Sequence, residues 1–303
     1  MSKILVVGSV ALDTVTTPFG GVKEALGGSA VYFSISAIKF LEPFDVRIVA
    51  VVGEDFPSKY LKLLKKNKID TEGLKKEKGK TFRWIGEYNY NLNEAHTIDT
   101  KLNVFENFSP EIPSAYKNTP YIFLANIDPD LQEKVLNQVI SPKLVVLDTM
   151  NFWISSKKES LKNVLKKVDI FLLNESETRQ ISEEFNILKA VKKILSWGPK
   201  AIIVKRGEYG AIYFDNSSIF YVPSYPLEKI YDPTGAGDSF AGGFLGYIAK
   251  KDKVDRKTIK QATVFGSIMG SFAVESFSLD KLRSVRWKDI LKRYKEFKNF
   301  TYF

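Results

Sequence analysis

Short apolar runs alternate with longer amphipathic stretches along most of this chain. "KILVVGSV" (3–10), "DVRIVAVVG" (45–53), "YIFLANI" (121–127), "KLVVLDTM" (143–150), "DIFLLNE" (169–175) and "AIIVKRG" (201–207) read as buried strands. Between them, helical spacing of apolar residues predicts helices over 29–41, 56–68, 129–140, 157–167, 175–184 and 188–197. "GAIYFD" and "SIFYVPS" form a hairpin pattern around Asn216, and three further helices are predicted over 238–250, 256–275 and 287–298. Strands and helices in this alternation build a mostly parallel sheet covered on both faces.

One region breaks the rhythm. "GKTFRWIGEYNYNLNEAHTIDTKLNVF" (79–105) is aromatic and alternating, with Phe82 and Trp84 on one face and Arg83 and Ile85 on the other. It predicts antiparallel strands, with "ALDTVTTPFGGVKEAL" (11–26) as their partner. A small sheet inserted in an α/β domain makes a natural lid. There is no internal repeat or linker composition, so residues 1–303 are expected to form one domain that carries this lid.

Composition narrows the chemistry. The 303 residues include no cysteine and one histidine, His96. Thiolate chemistry is excluded, and Ser–His triads and multi-histidine metal centres are disfavoured. Acid–base work falls on carboxylates. The net charge is +10, but the lysines of "YLKLLKKNKI", "LKKEKGK" and "SLKNVLKKVDI" are spaced with leucines, as on solvated helix faces. A nucleic-acid partner is therefore not expected, although a basic protein attracts anionic ligands. No apolar run is long enough to span a bilayer, and "MSKILVVGSV" reads as a first strand, so no membrane partner and a cytoplasmic location are expected.

The densest signal is "YDPTGAGDSFAGGFLGY" (231–247). The helical pattern Phe240–Phe244–Leu245–Ile248 starts just after Asp238, which places Gly235, Ala236 and Gly237 at a helix N-terminus. Their small side chains expose backbone N–H groups to an anion. Gly242 and Gly243 lie inside the helix, where glycine permits close packing or close approach of a ligand. Asp238 beside an anion cradle has two readings. One is a base that takes the proton of a hydroxyl attacking a phosphorus held there. The other is a plain helix cap.

"DPTGAGDSFAGGFLGY" resembles the C-terminal signature of the ribokinase-like, or PfkB, family of carbohydrate kinases, and other segments match in order along nearly the whole chain. The resemblance implies a three-layer ribokinase-like α/β sandwich with a mostly parallel central sheet and a small antiparallel β lid. It implies that Asp238 is the catalytic base, with Gly235, Ala236 and Gly237 as the anion hole, and that Asp13, Gly27 and Gly28 lie beside the substrate. It further implies that "NESE", with Asn174 and Glu177, organises Mg2+ through water, and that Lys205, Gly207 and Gly210 of "VKRGEYG" line the nucleotide site, as do Asn174, Gly235 and Gly237. Asp232 is expected to bind a monovalent cation such as K+ or to order its loop. Ala273, Ser276 and Ser278 are further candidate oxygens for that cation. Spacing alone gives "NESE" only as a surface cap and "VKRGEYG" only as a tight turn.

Two departures bear on the substrate. Tyr32 and Phe33 stand where the family often has asparagine, so an aromatic ring replaces an amide that grips a sugar hydroxyl. Tyr32 is read either as stacking on a base or as core. Trp153, after Asp148 and Asn151 in "LDTMNFW", stands where an arginine is expected. Asn126, at a strand end, is read as a substrate contact or as a cap for the next helix. The function so implied is an ATP- and Mg2+-dependent transfer to a hydroxyl of a sugar or sugar-like molecule. Alternatives are a nucleoside kinase of the same family and a non-catalytic sugar or nucleotide sensor. The exposed lid strands suggest a homodimer.

Overall fold

The computed structural model describes residues 3–301. Strand β1 (Ile4–Val7) leads into a hairpin of β2 (Ala11–Thr17) and β3 (Gly20–Gly27), then helix α1 (Ser29–Ala37). β4 (Val46–Gly53), α2 (Ser58–Lys66) and β5 (Asp70–Glu77) follow, and β6 (Arg83–Tyr88) and β7 (Ala95–Lys101) form a second hairpin. Next come β8 (Tyr121–Leu124), α3 (Pro129–Leu136), β9 (Leu144–Asp148), α4 (Asn151–Ser156) and α5 (Lys158–Leu165). Then follow β10 (Ile170–Asn174), α6 (Glu175–Ser182), α7 (Ile187–Leu195), β11 (Ala201–Lys205), β12 (Ala211–Asp215) and β13 (Ser218–Val222). The chain ends in α8 (Ala236–Lys251), α9 (Arg256–Ala273), α10 (Asp280–Ser284) and α11 (Trp287–Thr301).

The large sheet has nine strands in the order β13-β12-β11-β10-β9-β8-β1-β4-β5. It is parallel from β11 to β5 and antiparallel only at the β11–β12 and β12–β13 pairs. Strand alternation divides its side chains between two cores. Ile4, Val6, Ile48, Phe123, Val146, Leu172 and Ile203 pack beneath α1, α8 and α9. Leu5, Val7, Val49, Leu124, Leu147, Phe171 and Val204 face α3, α5, α6 and α7. Burial on both faces explains why these strands read as continuous apolar runs.

The second sheet has the order β3-β2-β6-β7. Its outer pairs are antiparallel, and its central pair, β2–β6, runs parallel, with Asp13 opposite Trp84. The two hairpins thus lie side by side in the same direction.

Three elements depart from the sequence reading. "LKKEKGK", read as a helix face, lies largely in β5, the edge strand of the large sheet, where Lys75, Lys76 and Glu77 project from an edge with no outer partner among the described residues. Charge is how sheet edges resist pairing, and it mimics a solvated helix in sequence. The short helices α4 and α10 were also not anticipated; at six and five residues they hold too few turns to show a period.

Helix α8 lies between α1 and α9, and its glycines make this possible. A Cβ on Gly242 would stand 2.4 Å from Phe33 O, and one on Gly243 2.7 Å from Phe265 O. Ser36 Oγ donates to Ser239 O at 2.7 Å and ties α1 to the first turn of α8. The interior glycines therefore serve packing. Gly242→Val is expected to cost about 1–3 kcal/mol in urea unfolding, because the neighbour it meets is backbone. An unchanged midpoint would show that α8 can move away without loss.

Candidate active site

The first loops and α1 build one side of the cleft. Asp13, on β2, is buried, and its Oδ2 accepts the N–H of Gly28 at 3.3 Å. A Cβ on Gly27 would overlap that oxygen at 1.8 Å, so the carboxyl can lie there only beside glycine. Gly28 has φ 93° and caps α1, a conformation open to glycine and strained for other residues. Tyr32, on α1, is buried with one ring face under the turn that leads into α8. A Cβ on Gly235 would stand 2.3 Å from its Cγ. That face is covered by backbone, so the ring is a floor for the turn. Asn126 follows β8 and is half-buried, with its Oδ1 unpartnered among the described residues. The cap of α3 is Asp128, not Asn126.

The opposite side is built on the N-terminus of α8. Gly235 is its N-cap with φ 74°, and no side chain caps the helix, so Asp238 is not the cap. Ala236 N–H turns back to Pro233 O at 3.1 Å, and the next amides, of Gly237 and Asp238, stand at the open end of the helix. Lys205, the last residue of β11, comes within 3.2 Å of where a Gly237 Cβ would sit. Its Nζ donates to Asp148 Oδ2 at 2.9 Å. Asn174 and Glu177 form a capping box on α6: each side chain accepts the other's backbone N–H at 2.7 Å. Gly207 (φ 54°) and Gly210 (φ 86°) shape the turn after β11, and a side chain on Gly210 would strike Val222 O. Asp232 orders its loop, accepting the N–H of Thr234 at 2.9 Å and that of Ser278 at 3.1 Å. Ser276 Oγ accepts the N–H of Lys281, and Ser278 Oγ donates to Leu26 O, so both hydroxyls already serve the loop.

These groups share one electrostatic environment. Burial pushes Asp13 up to about 7, with Asp232 and Asp238 adding to the rise and the Gly28 N–H opposing it. Burial also raises Asp238 to about 7, helped by Asp148 and opposed by Lys205. Glu177 is raised by burial and by Asp148, against Lys205. Lys205 is held above its ordinary value despite burial, because Asp148, Glu177 and Asp238 surround it. Carboxyls poised near neutrality beside a cation and a helix N-terminus suit proton removal and phosphate binding.

The small sheet closes over the cleft. Trp84 shares a face with Asp13, and Tyr88 lies two positions further along that face. Tyr88 Oη reaches Thr234 Oγ1 at 3.3 Å, and its pKa is raised by burial and by Asp232, Asp13 and Asp238. His96 lies exposed on β7, 3.2 Å from Glu87. Sequence reasoning underrated Asp148 and missed Tyr88. A DxxN segment hinted at the first, whereas the second depends on the parallel β2–β6 pairing.

A family model described as pfkB family carbohydrate kinase matches residues 1–283. The chain belongs to this family. A cytidine kinase of Thermococcus kodakarensis is 31% identical over 256 residues, which cover 82% of this chain and 89% of that one. The crystal structure of the Methanocaldococcus jannaschii nucleoside kinase superposes with a TM-score of 0.78 at 22% identity, covering 98% of this chain and 99% of that one. A protein from E. coli described as a ribokinase II, solved with ATP and Mg2+, gives 0.79 at 20% identity, covering 98% and 100%. The chain is thus an ATP-dependent phosphotransferase acting on a hydroxyl group. No helix among the described residues is long and apolar enough to cross a membrane.

The raised pKa of Asp13 has a stability consequence. The folded protein keeps this proton up to about pH 7, whereas the unfolded aspartate releases it near 3.8. The folded state binds more protons between these values, so stability falls as pH rises through that window. Asp13→Asn is expected to raise the melting temperature by several degrees at pH 8 and by less at pH 5. Equal gains at both pH values would mean that the carboxyl's charge is not the cause.

Proposed function

We propose that this kinase transfers the γ-phosphoryl group of ATP to a sugar hydroxyl of a nucleoside. The observation that carries the reading is the pairing of Asp13 with Trp84 across the central strands of the lid. A buried carboxyl suited to a sugar hydroxyl lies on the same face as a half-exposed indole suited to a flat base. The Trp84 N–H is taken up by Thr97 Oγ1 at 3.2 Å and the ring rests on Gly86, which fixes it and leaves its other face for contact. The cytidine and nucleoside kinases among the relatives point the same way.

In this mechanism the acceptor hydroxyl sits between Asp13 and Asp238. Asp13 orients the sugar, and Asp238 removes the proton as the hydroxyl attacks. The amides at the start of α8 and the Lys205 ammonium receive the charge that develops on the transferred group. Lys205 is held in place by Asp148. The residues present fit a magnesium ion bound largely through water. The capping box engages Glu177 Oε2 and Asn174 Oδ1 and leaves Glu177 a second carboxylate oxygen, and no group of three or more acidic or histidine side chains among the described residues forms a direct cage. When bound, the ion neutralises phosphate charge. The lid excludes water, the competing acceptor.

The test is a phosphorylation panel with ATP and Mg2+ over cytidine, uridine, adenosine, inosine, ribose, fructose and myo-inositol. One nucleoside is expected to exceed every free sugar by about 100-fold in kcat/KM, as expected when a site contacts the base as well as the sugar. A free sugar or inositol at the head of the panel overturns the nucleoside reading.

A further inference from the structure

Three side chains of the lid, Tyr88, Thr17 and Asn93, reach across to the donor side of the cleft. Thr234 Oγ1 donates to Tyr88 Oη at 3.3 Å, and Thr234 immediately precedes Gly235. Thr234 is also fixed from the opposite direction, since its N–H goes to Asp232 Oδ1 and Asp232 in turn holds Ser278. Strand β2 adds a third tie, with Thr17 Oγ1 donating to Tyr231 O at 2.9 Å. At the tip of the β6–β7 hairpin, Asn93 Nδ2 donates to Glu208 Oε1 at 3.1 Å. A Cβ on Gly207 would stand 1.9 Å from Asn93 Oδ1, so Asn93 occupies the space a side chain there would fill. One hairpin therefore lands on both the turn that leads into α8 and the turn after β11.

The Tyr88 hydroxyl stays protonated, pushed up to about 12 mainly by burial. The Thr234 hydroxyl also acts on the Asp232 carboxylate, so Tyr88, Thr234 and Asp232 form one linked set of contacts at the turn before α8. The ring lies on the face that carries Asp13, and Asp232 and Asp238 also act on it.

We propose that Tyr88 is a positioning residue for phosphoryl transfer: the lid sets its hydroxyl on Thr234, and the anion-binding turn takes its working geometry only when the acceptor site is closed. Donor phosphate is then aligned only while an acceptor lies beneath the lid, which favours transfer over loss to water. Asn93 gives the same closure a second anchor on the nucleotide side. The inference rests on the phosphotransferase activity and not on the class of acceptor, so it is tested with whichever acceptor the panel ranks first.

The experiment is a double-mutant cycle of Tyr88→Phe and Thr234→Val. Both changes keep the shape of the side chain; Tyr88→Phe removes only this bond, and Thr234→Val also removes the hydroxyl's contact with Asp232. Tyr88→Phe is expected to lower kcat roughly 10-fold and to raise acceptor-free ATP hydrolysis relative to transfer, with the KM for ATP and the melting temperature little changed. Thr234→Val should lose at least as much, and adding Tyr88→Phe to it should cost nothing further. Hydrogen exchange gives a readout independent of turnover: amides of 231–238 should exchange faster in Tyr88→Phe while the large sheet does not change. An unchanged kcat, losses that multiply in the double variant, a kcat loss that merely tracks a lower melting temperature, or unchanged exchange over 231–238 would each overturn the proposal.

Discussion

The structure depends on one electrostatic constraint: several carboxyl groups are held out of water around the positive end of α8. Asp13, Asp232 and Asp238 act on Tyr88 together, and Asp148, Glu177 and Asp238 act on Lys205 together. Such a cluster is unfavourable when fully ionised, and burial raises Asp13 and Asp238 to about 7. The cluster persists because four of these carboxyls have a fixed contact: a backbone amide for Asp13 and Asp232, Lys205 for Asp148, and the capping box for Glu177. Stability given up at neutral pH is the counterpart of carboxyls ready to take a proton.

The fold exists to deliver these groups to one place. Parallel strands β1, β8, β9, β10 and β11 end on the same side, and Asn126, Asp148, Asn174 and Lys205 stand at or just beyond four of those ends. Helix α8 brings the amides to them, and it can do so only because Gly242 and Gly243 let α1 and α9 approach its backbone. The second sheet supplies what an open α/β sheet lacks, a cover that carries Trp84 and Tyr88.

Much of this is legible in sequence. Buried parallel strands announce themselves as apolar runs, and the glycines before Asp238 mark a helix start that an anion can approach. The GxGD signature and the segments matched in order carry the family. What the sequence hides are relations set by tertiary contact. The charged edge strand β5 imitates a helix face, since its lysines answer to solvent and not to a period. The β2–β6 pairing is a long-range register that nothing local specifies, so Tyr88 and its contact with Thr234 could not be read from spacing. Tyr32, which reads as a stacking platform or as core, is core, and one face of its ring also supports Gly235, a contact made across two distant helices.

The central claim is that Asp238 takes the acceptor's proton from a site where burial holds its pKa near neutrality. The most direct measurement is kcat/KM against pH for the wild type, with Asp238→Asn measured alongside. The wild type should lose activity as pH falls below about 7, because the base must be ionised. Asp238→Asn should turn over about 10²–10⁴-fold more slowly across the range while still binding nucleotide. Near-wild-type turnover in Asp238→Asn, with the same acid limb, would contradict the account.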